Sequence, residues 1–98
     1  MSLTELPKQN IKLRGKVIEK HQSKNNSLCY LVIEYITQNP SYTNRAKVTI
    51  KEKDRELCYD AFELDELVEV YFNIETKIND DGSPGIVNLY AWKVISLI

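Results

Sequence analysis

The chain has 98 residues, of which 43% are hydrophobic and 28% charged, with a formal net charge of −1 at pH 7. This composition is typical of one folded domain, and with 3 Gly and 3 Pro it excludes a collagen-like or disordered chain. No apolar run is long enough to span a bilayer, and residues 1–10 lack the apolar core of a signal peptide. We therefore expect a flexible N-terminal tail at 1–10 and a cytoplasmic protein.

The two halves of the chain carry opposite charge. Residues 1–53 contain 10 Lys or Arg and 4 Asp or Glu, a net charge of +6, whereas residues 54–98 contain 3 and 10, a net charge of −7. Such an imbalance indicates a surface that attracts a charged partner, and two solvated faces of opposite sign would give the same pattern.

Three strands are predicted in the basic half. Residues 11–22 alternate at first, and Gly15 and then Val17-Ile18 interrupt the alternation, which is typical of a bulge or bend. Residues 28–37 are rich in β-branched and aromatic side chains. Residues 45–52 alternate regularly, so Val48 and Ile50 are predicted to face the core, with the basic residues facing outward.

A short helix and two more strands are predicted in the acidic half. Asp54 is a suitable N-cap, and a helix ending near Glu63 would carry an apolar stripe of Leu57, Cys58, Ala61 and Phe62. Strands follow at 68–78 and 86–96, joined by a loop rich in turn-forming residues.

This order of elements predicts the fold class. Three strands, a short helix and two strands indicate an all-β protein, a five-stranded OB-fold-like barrel with one short helix between strands three and four. Residues 11–98 would form this single domain. A small SH3-like barrel is the main alternative, although it does not normally place a helix there.

The segment 64–94 carries a resemblance to a known family. Its alternating strand Val68-Glu69-Val70-Tyr71-Phe72-Asn73-Ile74 and the later Ala91-Trp92-Lys93 resemble strands four and five of a largely uncharacterised family of small bacterial OB-fold proteins. The chain is more loosely similar to single-stranded-DNA-binding OB domains. The chain departs from these patterns at Asp65 and Glu66, where the family often has glycine, and in lacking an acidic, glycine-rich C-terminal tail.

Catalytic and metal-binding constellations are missing from the sequence. Nucleophilic catalysis needs a base beside the nucleophile, and the only histidine, His21, adjoins a polar turn and is interpreted as a solvated strand-end residue. Cys29 and Cys58 are predicted to be buried free thiols, too few for a zinc site. A solvated acidic face is predicted from Asp60, Glu63, Asp65, Glu66 and Glu69. We therefore expect neither an enzyme nor a bound cofactor or metal.

A basic groove bearing tyrosines is the predicted binding surface. Single-strand binders need cations along the phosphates and aromatic faces for the bases, and OB-folds bind across strands two and three and the flanking loops. Alternation allows only one of Tyr30 and Tyr35 on this face, and Tyr71 and Tyr90 are further candidates, whereas Phe62, Phe72 and Trp92 are predicted to pack. The predicted nucleic-acid-binding residues are Arg14, Lys16, Lys24, Tyr30, Tyr42, Arg45, Lys47 and Lys51.

Two functional hypotheses follow. The first is a non-catalytic protein that binds single-stranded nucleic acid, DNA in preference to RNA. The alternative is a protein-interaction or self-assembly module, a homodimer or higher homo-oligomer formed through the apolar C-terminal run of Trp92, Val94, Ile95, Leu97 and Ile98.

Overall fold

The computed structural model describes residues 10–23, 28–36 and 43–97, apart from the side chains of Ile36 and Thr43. The strands are β1 (Ile11–Gln22), β2 (Leu28–Ile36), β3 (Thr43–Lys51), β4 (Leu67–Ile78) and β5 (Pro84–Ser96). These are the predicted five strands, displaced by at most two residues at any end. Two predicted binding residues, Lys24 and Tyr42, lie outside the described residues, as does the predicted tail apart from Asn10.

The strands form a closed barrel in the order β1-β2-β3-β5-β4, which confirms the predicted architecture. β1 pairs with β4 through residues 11–16 and with β2 through residues 16–22, and β3 and β5 meet in parallel at Thr49 and Tyr90. Because β1 pairs with β4 through its first half and with β2 through its second half, it has to bend sharply in its middle. Gly15 sits at that turn, where a methyl group would strike the backbone carbonyl oxygen of Glu34 and the side chain of Ile33.

The predicted bulge in β1 is confirmed, since its register against β2 shifts between Val17 and Glu19. The extra residue changes which side chains point outward. Lys12, Arg14 and Lys16 are exposed before the bulge, and Glu19 and His21 are exposed after it.

The barrel interior is the hydrophobic core. Alternate residues of the strands fill it, and the fully buried ones include Val17, Leu31, Ile33, Val48, Ile50, Val68 and Val70. Cys29 and Cys58 are buried free thiols, as predicted, and burial raises the pKa of the Cys29 thiol. The removal of these apolar side chains from water makes the largest favourable contribution to the stability of the fold.

The segment between β3 and β4 differs from the predicted helix. It is a 3₁₀ turn (Glu52–Asp54) followed by a short π-helical turn (Glu56–Asp60), so Asp54 lies inside the first turn and does not cap a helix. The predicted apolar stripe is half wrong, because Leu57 is 75% exposed and Ala61 is also exposed. The wider winding of a π turn instead places Cys58, Tyr59 and Phe62 against the barrel end.

β4 and β5 extend beyond the barrel as a hairpin. The turn at its tip uses Gly82 at a φ of +85°, which favours glycine. Ile74 and Thr76, which share the alternation of the buried Val70 and Phe72, are exposed because no other strand covers them there. None of the helical segments in the described part of the chain is long and apolar enough to cross a membrane.

Candidate nucleic-acid interface

One row of side chains crosses the outer surface of four strands. The strand registers pair His21 with Tyr30, Tyr30 with Thr49, and Thr49 with Tyr90. Residues paired in this way point to the same face of a sheet and lie side by side. The row therefore brings residues from β1, β2, β3 and β5 onto one surface, although His21 and Tyr90 are far apart in the sequence.

A cleft of about 380 Å³ opens along this row. We call it the tyrosine groove; Tyr30 and Tyr90 both line it, and the other lining residues are His21, Gln22, Ser23, Leu28, Cys29, Lys47, Thr49 and Asn88. A neighbouring cleft of about 340 Å³ shares Tyr90 and Asn88 and adds Lys51, Glu75, Thr76 and Lys77. The surface is thus a shallow, mixed polar and aromatic trough.

Each groove tyrosine carries a lysine ammonium over its ring. The Nζ atom of Lys47 is 4.3 Å from the ring centre of Tyr30, and that of Lys51 is 4.6 Å from the ring centre of Tyr90. Lys47 and Lys51 flank Thr49 along β3, which explains how one strand supplies both cations. Lys51 is also 3.7 Å from Glu75, an exposed pair that contributes only about 0–1 kcal/mol.

His21 completes the aromatic arrangement. Its ring stacks on Tyr30 with centroids 4.7 Å apart and an interplanar angle of 22°. The Nε2 atom of His21 also lies 2.8 Å from a carboxylate oxygen of Glu19, its neighbour on the same face of β1. Tyr30 thus contacts His21 from β1 and Lys47 from β3.

The structure brings some of the predicted residues together and separates others. Tyr30, Lys47 and Lys51 meet in the trough, and Arg45 follows on the same face of β3, 3.6 Å from Glu34. Lys16 lies opposite that same glutamate on β1. Alternation places Tyr35 on the opposite face of β2 from Tyr30, where it lines a separate cleft of about 470 Å³ with Arg14, Gly15, Lys16, Glu34, Leu67 and Leu97.

Arg14 is committed to a different contact. Its Nε donates to the carboxylate of Glu69 on β4, and Glu69 also accepts a 2.6 Å hydrogen bond from the hydroxyl of Tyr71. Glu69 is only 3% exposed, so the expectation that it belongs to a solvated acidic face is wrong. The hydrogen bonds from Tyr71 and Arg14 lower the pKa of Glu69, while the same carboxylate raises the pKa of Arg14 and of Tyr71.

Two aromatic residues of the groove, His21 and Tyr90, were outside the predicted binding set, although Tyr90 was named as a further candidate. The break in alternation at Val17-Ile18 was predicted, but its consequence, that His21 faces the same side as Lys16, was not deduced from it. Tyr90 joins the surface through the parallel contact between β3 and β5, a pairing between distant segments that leaves no local pattern.

The described residues include no group of three His, Cys, Asp or Glu side chains that could hold a metal ion. The ionised Glu69 is also a poor proton donor near neutral pH, because its pKa is lowered. The lysine ammonium groups and tyrosine rings of the trough are able to contact anions and flat apolar rings.

No protein-family model matches the sequence, and no curated protein matches it. The backbone does match solved structures. The mitochondrial single-stranded DNA binding protein Rim1 of S. cerevisiae aligns in one crystal form with a TM-score of 0.65 and 15% identity, over 93% of this chain and 97% of that chain. In a second form the TM-score is 0.61 and the identity 18%, over 94% and 97%.

The chain has an OB-fold. The barrel order, the parallel closure of β3 on β5 and the helical turns between β3 and β4 agree with this assignment, and so does the coverage of nearly the whole chain. OB-folds bind oligonucleotides and oligosaccharides on the face of strands two and three, between the β1–β2 and β4–β5 loops. The tyrosine groove lies on that face.

Proposed function

We propose that the protein is a non-catalytic binder of single-stranded nucleic acid and that the tyrosine groove is its binding surface. The observation that carries the proposal is the pairing of each groove tyrosine with a lysine, Tyr30 with Lys47 and Tyr90 with Lys51, on the ligand face of an OB-fold. Single-strand binders combine aromatic faces for bases with cations for phosphates in this way. The backbone similarity to a protein named for single-stranded DNA favours DNA over RNA.

Binding would exchange contacts that the free protein already makes. A lysine over an exposed tyrosine contributes about 0.5–1 kcal/mol, whereas a stacked base contributes about 1–3 kcal/mol. A base is therefore favoured over the ammonium of Lys47 or Lys51 on the ring, and the displaced ammonium can then meet a phosphate. His21 remains stacked on Tyr30 and extends the aromatic surface towards β1.

The groove assignment retains part of the predicted residue set. Arg45 continues the row of cations along β3 beyond Lys47, and its Nε atom lies 3.6 Å from the carboxylate of Glu34. Lys16, Lys24 and Tyr42 stay predicted contacts. Arg14 lines neither cleft of the trough and pairs with Glu69, and its contact with nucleic acid also stays a prediction.

An anisotropy titration of fluorescein-labelled oligo-dT tests the proposal. With about three phosphate contacts, the log–log salt slope for a single strand is about −2, so affinity falls roughly 20-fold between about 50 and 200 mM salt. Lys47→Ala and Lys51→Ala should each weaken binding and make the slope shallower by about 0.7. Arg55→Ala is the matched control, because Arg55 lies on the helical segment beside Asp60.

Two outcomes would overturn the proposal. The first is an absence of binding by the unmodified protein at low salt. The second is binding whose affinity and salt slope are the same in the Lys47→Ala, Lys51→Ala and Arg55→Ala variants, because the strand would then occupy another surface.

Self-assembly through the C-terminal strand stays a prediction. That strand, β5, is not at a free edge of the sheet. β5 lies between β3 and β4, Val94 is buried in the core, and Leu97 is 43% exposed. Other exposed apolar residues lie on the β4–β5 hairpin, where Ile78 and Ile86 are 70% and 80% exposed. Light scattering across a concentration series measures the oligomeric state directly, and a monomer throughout would count against assembly.

A further inference from the structure

We infer that a bound single strand continues past Tyr90, across β5, onto a second aromatic surface formed by Trp92 and Tyr71. We call this the Trp92 surface; its cations are Lys12, Lys53 and Lys93. The inference rests on the proposed function and names where the rest of the strand would lie.

A bulge in β5 creates this surface. Tyr71 pairs with Lys93 and Phe72 pairs with Ala91, which leaves Trp92 as the additional residue between them. Ala91 and Val94 stay buried in the core, whereas Trp92 is only half-buried and its ring lies 5.5 Å from that of Tyr71. The indole, predicted to be a packing residue, therefore contributes to the outer surface.

Lysines flank this aromatic pair as they flank the groove tyrosines. The Nζ atoms of Lys93 and Lys12 are 5.3 Å and 5.9 Å from the ring centre of Tyr71. These lysines come from strands on opposite sides of β4, so the ring has a cation from each neighbouring strand. The carboxylate beneath, Glu69, is already neutralised by Arg14 and does not oppose a phosphate.

The two surfaces are connected. A small cleft of about 80 Å³ is lined by Tyr90 and Trp92 together, and its other lining residues are Lys51, Lys53, Asp54, Asn73, Glu75 and Ala91. Lys51 therefore belongs both to the trough around Tyr90 and to the passage towards Trp92. Two acids, Asp54 and Glu75, and two lysines, Lys51 and Lys53, line this passage. The strand therefore crosses a region of mixed charge before it reaches Lys93 and Lys12.

A nucleic-acid strand fits this surface better than a second copy of the chain does. The centres of protein–protein interfaces are depleted in lysine, whereas the Tyr71 ring here has two lysine ammonium groups beside it. Single-strand binding needs that combination, and site sizes of about 4–16 nucleotides per OB-fold are known. The tyrosine groove alone crosses four strands, about 14 Å at the usual strand spacing, which accounts for a site near the lower limit.

Trp92 is the only tryptophan in the chain, so its fluorescence reports directly on this surface. We would titrate the unmodified protein with oligo-dT of about 4 and about 12 nucleotides, lengths within the known range of site sizes. The expected result is that both bind by anisotropy, but only the longer one quenches Trp92. The Lys12→Ala/Lys93→Ala variant should lose at least fivefold in affinity for the longer oligonucleotide and bind the shorter one unchanged.

The outcomes separate this inference from the proposed function. If neither oligonucleotide binds, both are overturned together. If both bind while Trp92 emission is constant and the double variant matches the Arg55→Ala control, the groove proposal stands and the extension is overturned. A dimer that dissociates on the Lys12→Ala/Lys93→Ala substitution, with no change in oligonucleotide affinity, would assign the surface to self-assembly and also overturn the extension.

Discussion

Replacing either groove tyrosine with alanine tests whether bases stack in the trough. Tyr30→Ala removes a ring that lies between His21 and Lys47, and Tyr90→Ala removes the ring under Lys51. Both side chains are half-buried on the outer surface, so neither substitution opens a cavity in the barrel interior. The expected consequence is weaker binding with little change in fold.

The magnitude follows from the contacts exchanged. A stacked base contributes about 1–3 kcal/mol, and displacing a lysine from the ring costs about 0.5–1 kcal/mol. The net loss for each alanine variant therefore lies between about 0 and about 2.5 kcal/mol. The midpoints of the two ranges give about 1.2 kcal/mol, which corresponds to a Kd about eightfold weaker. If the two rings hold different bases, the losses in Tyr30→Ala/Tyr90→Ala should multiply.

The assay is anisotropy with labelled oligo-dT at one fixed low salt concentration, alongside circular dichroism and Tm for each variant. Arg55→Ala is again the control, because Arg55 lies beside Asp60 on the helical segment and lines neither cleft of the trough. The phenylalanine variants of Tyr30 and Tyr90 should bind like the unmodified protein, since they keep the ring. The stacking argument is refuted if both alanine variants bind within twofold of the unmodified protein while remaining folded.

Three further predictions concern stability. Gly15→Ala should lower the free energy of unfolding by about 1–3 kcal/mol, because the new methyl group would overlap the Glu34 carbonyl oxygen; at about 4–8 °C per kcal/mol, a Tm unchanged within 2 °C would contradict this. Leu31→Ala, at a fully buried position, should cost about 2–5 kcal/mol in denaturant unfolding, and a loss below 1 kcal/mol would mean that the barrel collapses onto the cavity. Because the folded-state pKa of Glu69 is lowered, its stabilising contribution is present above the ordinary carboxyl pKa of about 4.3 and is lost as the pH falls through the lower folded value. Glu69→Gln should therefore be less stable near neutral pH but lose less Tm on acidification, and parallel Tm curves for the two proteins would argue against this role.

Local patterns were sufficient for the strands and for the β1 bulge. Two-residue alternation in 45–52 predicted that Val48 and Ile50 are buried and that Lys47 and Lys51 are exposed, as the structure shows. This works because side-chain direction in a strand depends only on position along that strand. The same reasoning placed Tyr30 and Tyr35 on opposite faces without deciding which of them shares the face of the lysines.

Features that depend on contacts between distant segments could not be predicted. The ion pair of Arg14 with Glu69, 55 residues away, left no local pattern in the sequence. The π turn likewise departs from the 3.6-residue period, so Leu57 was predicted to be buried and is exposed.

The two oppositely charged halves of the chain contribute different parts of the proposed binding surface. The basic half forms β1, β2 and β3, whose outer face carries Lys47 and Lys51. Six of the ten acidic residues of the other half lie in 54–66, on the helical segment and the approach to β4. The acidic half nevertheless supplies Tyr90, because barrel closure sets β5 beside β3. The cations thus come from one half and an essential ring from the other, so the proposed binding surface exists only once the barrel has closed.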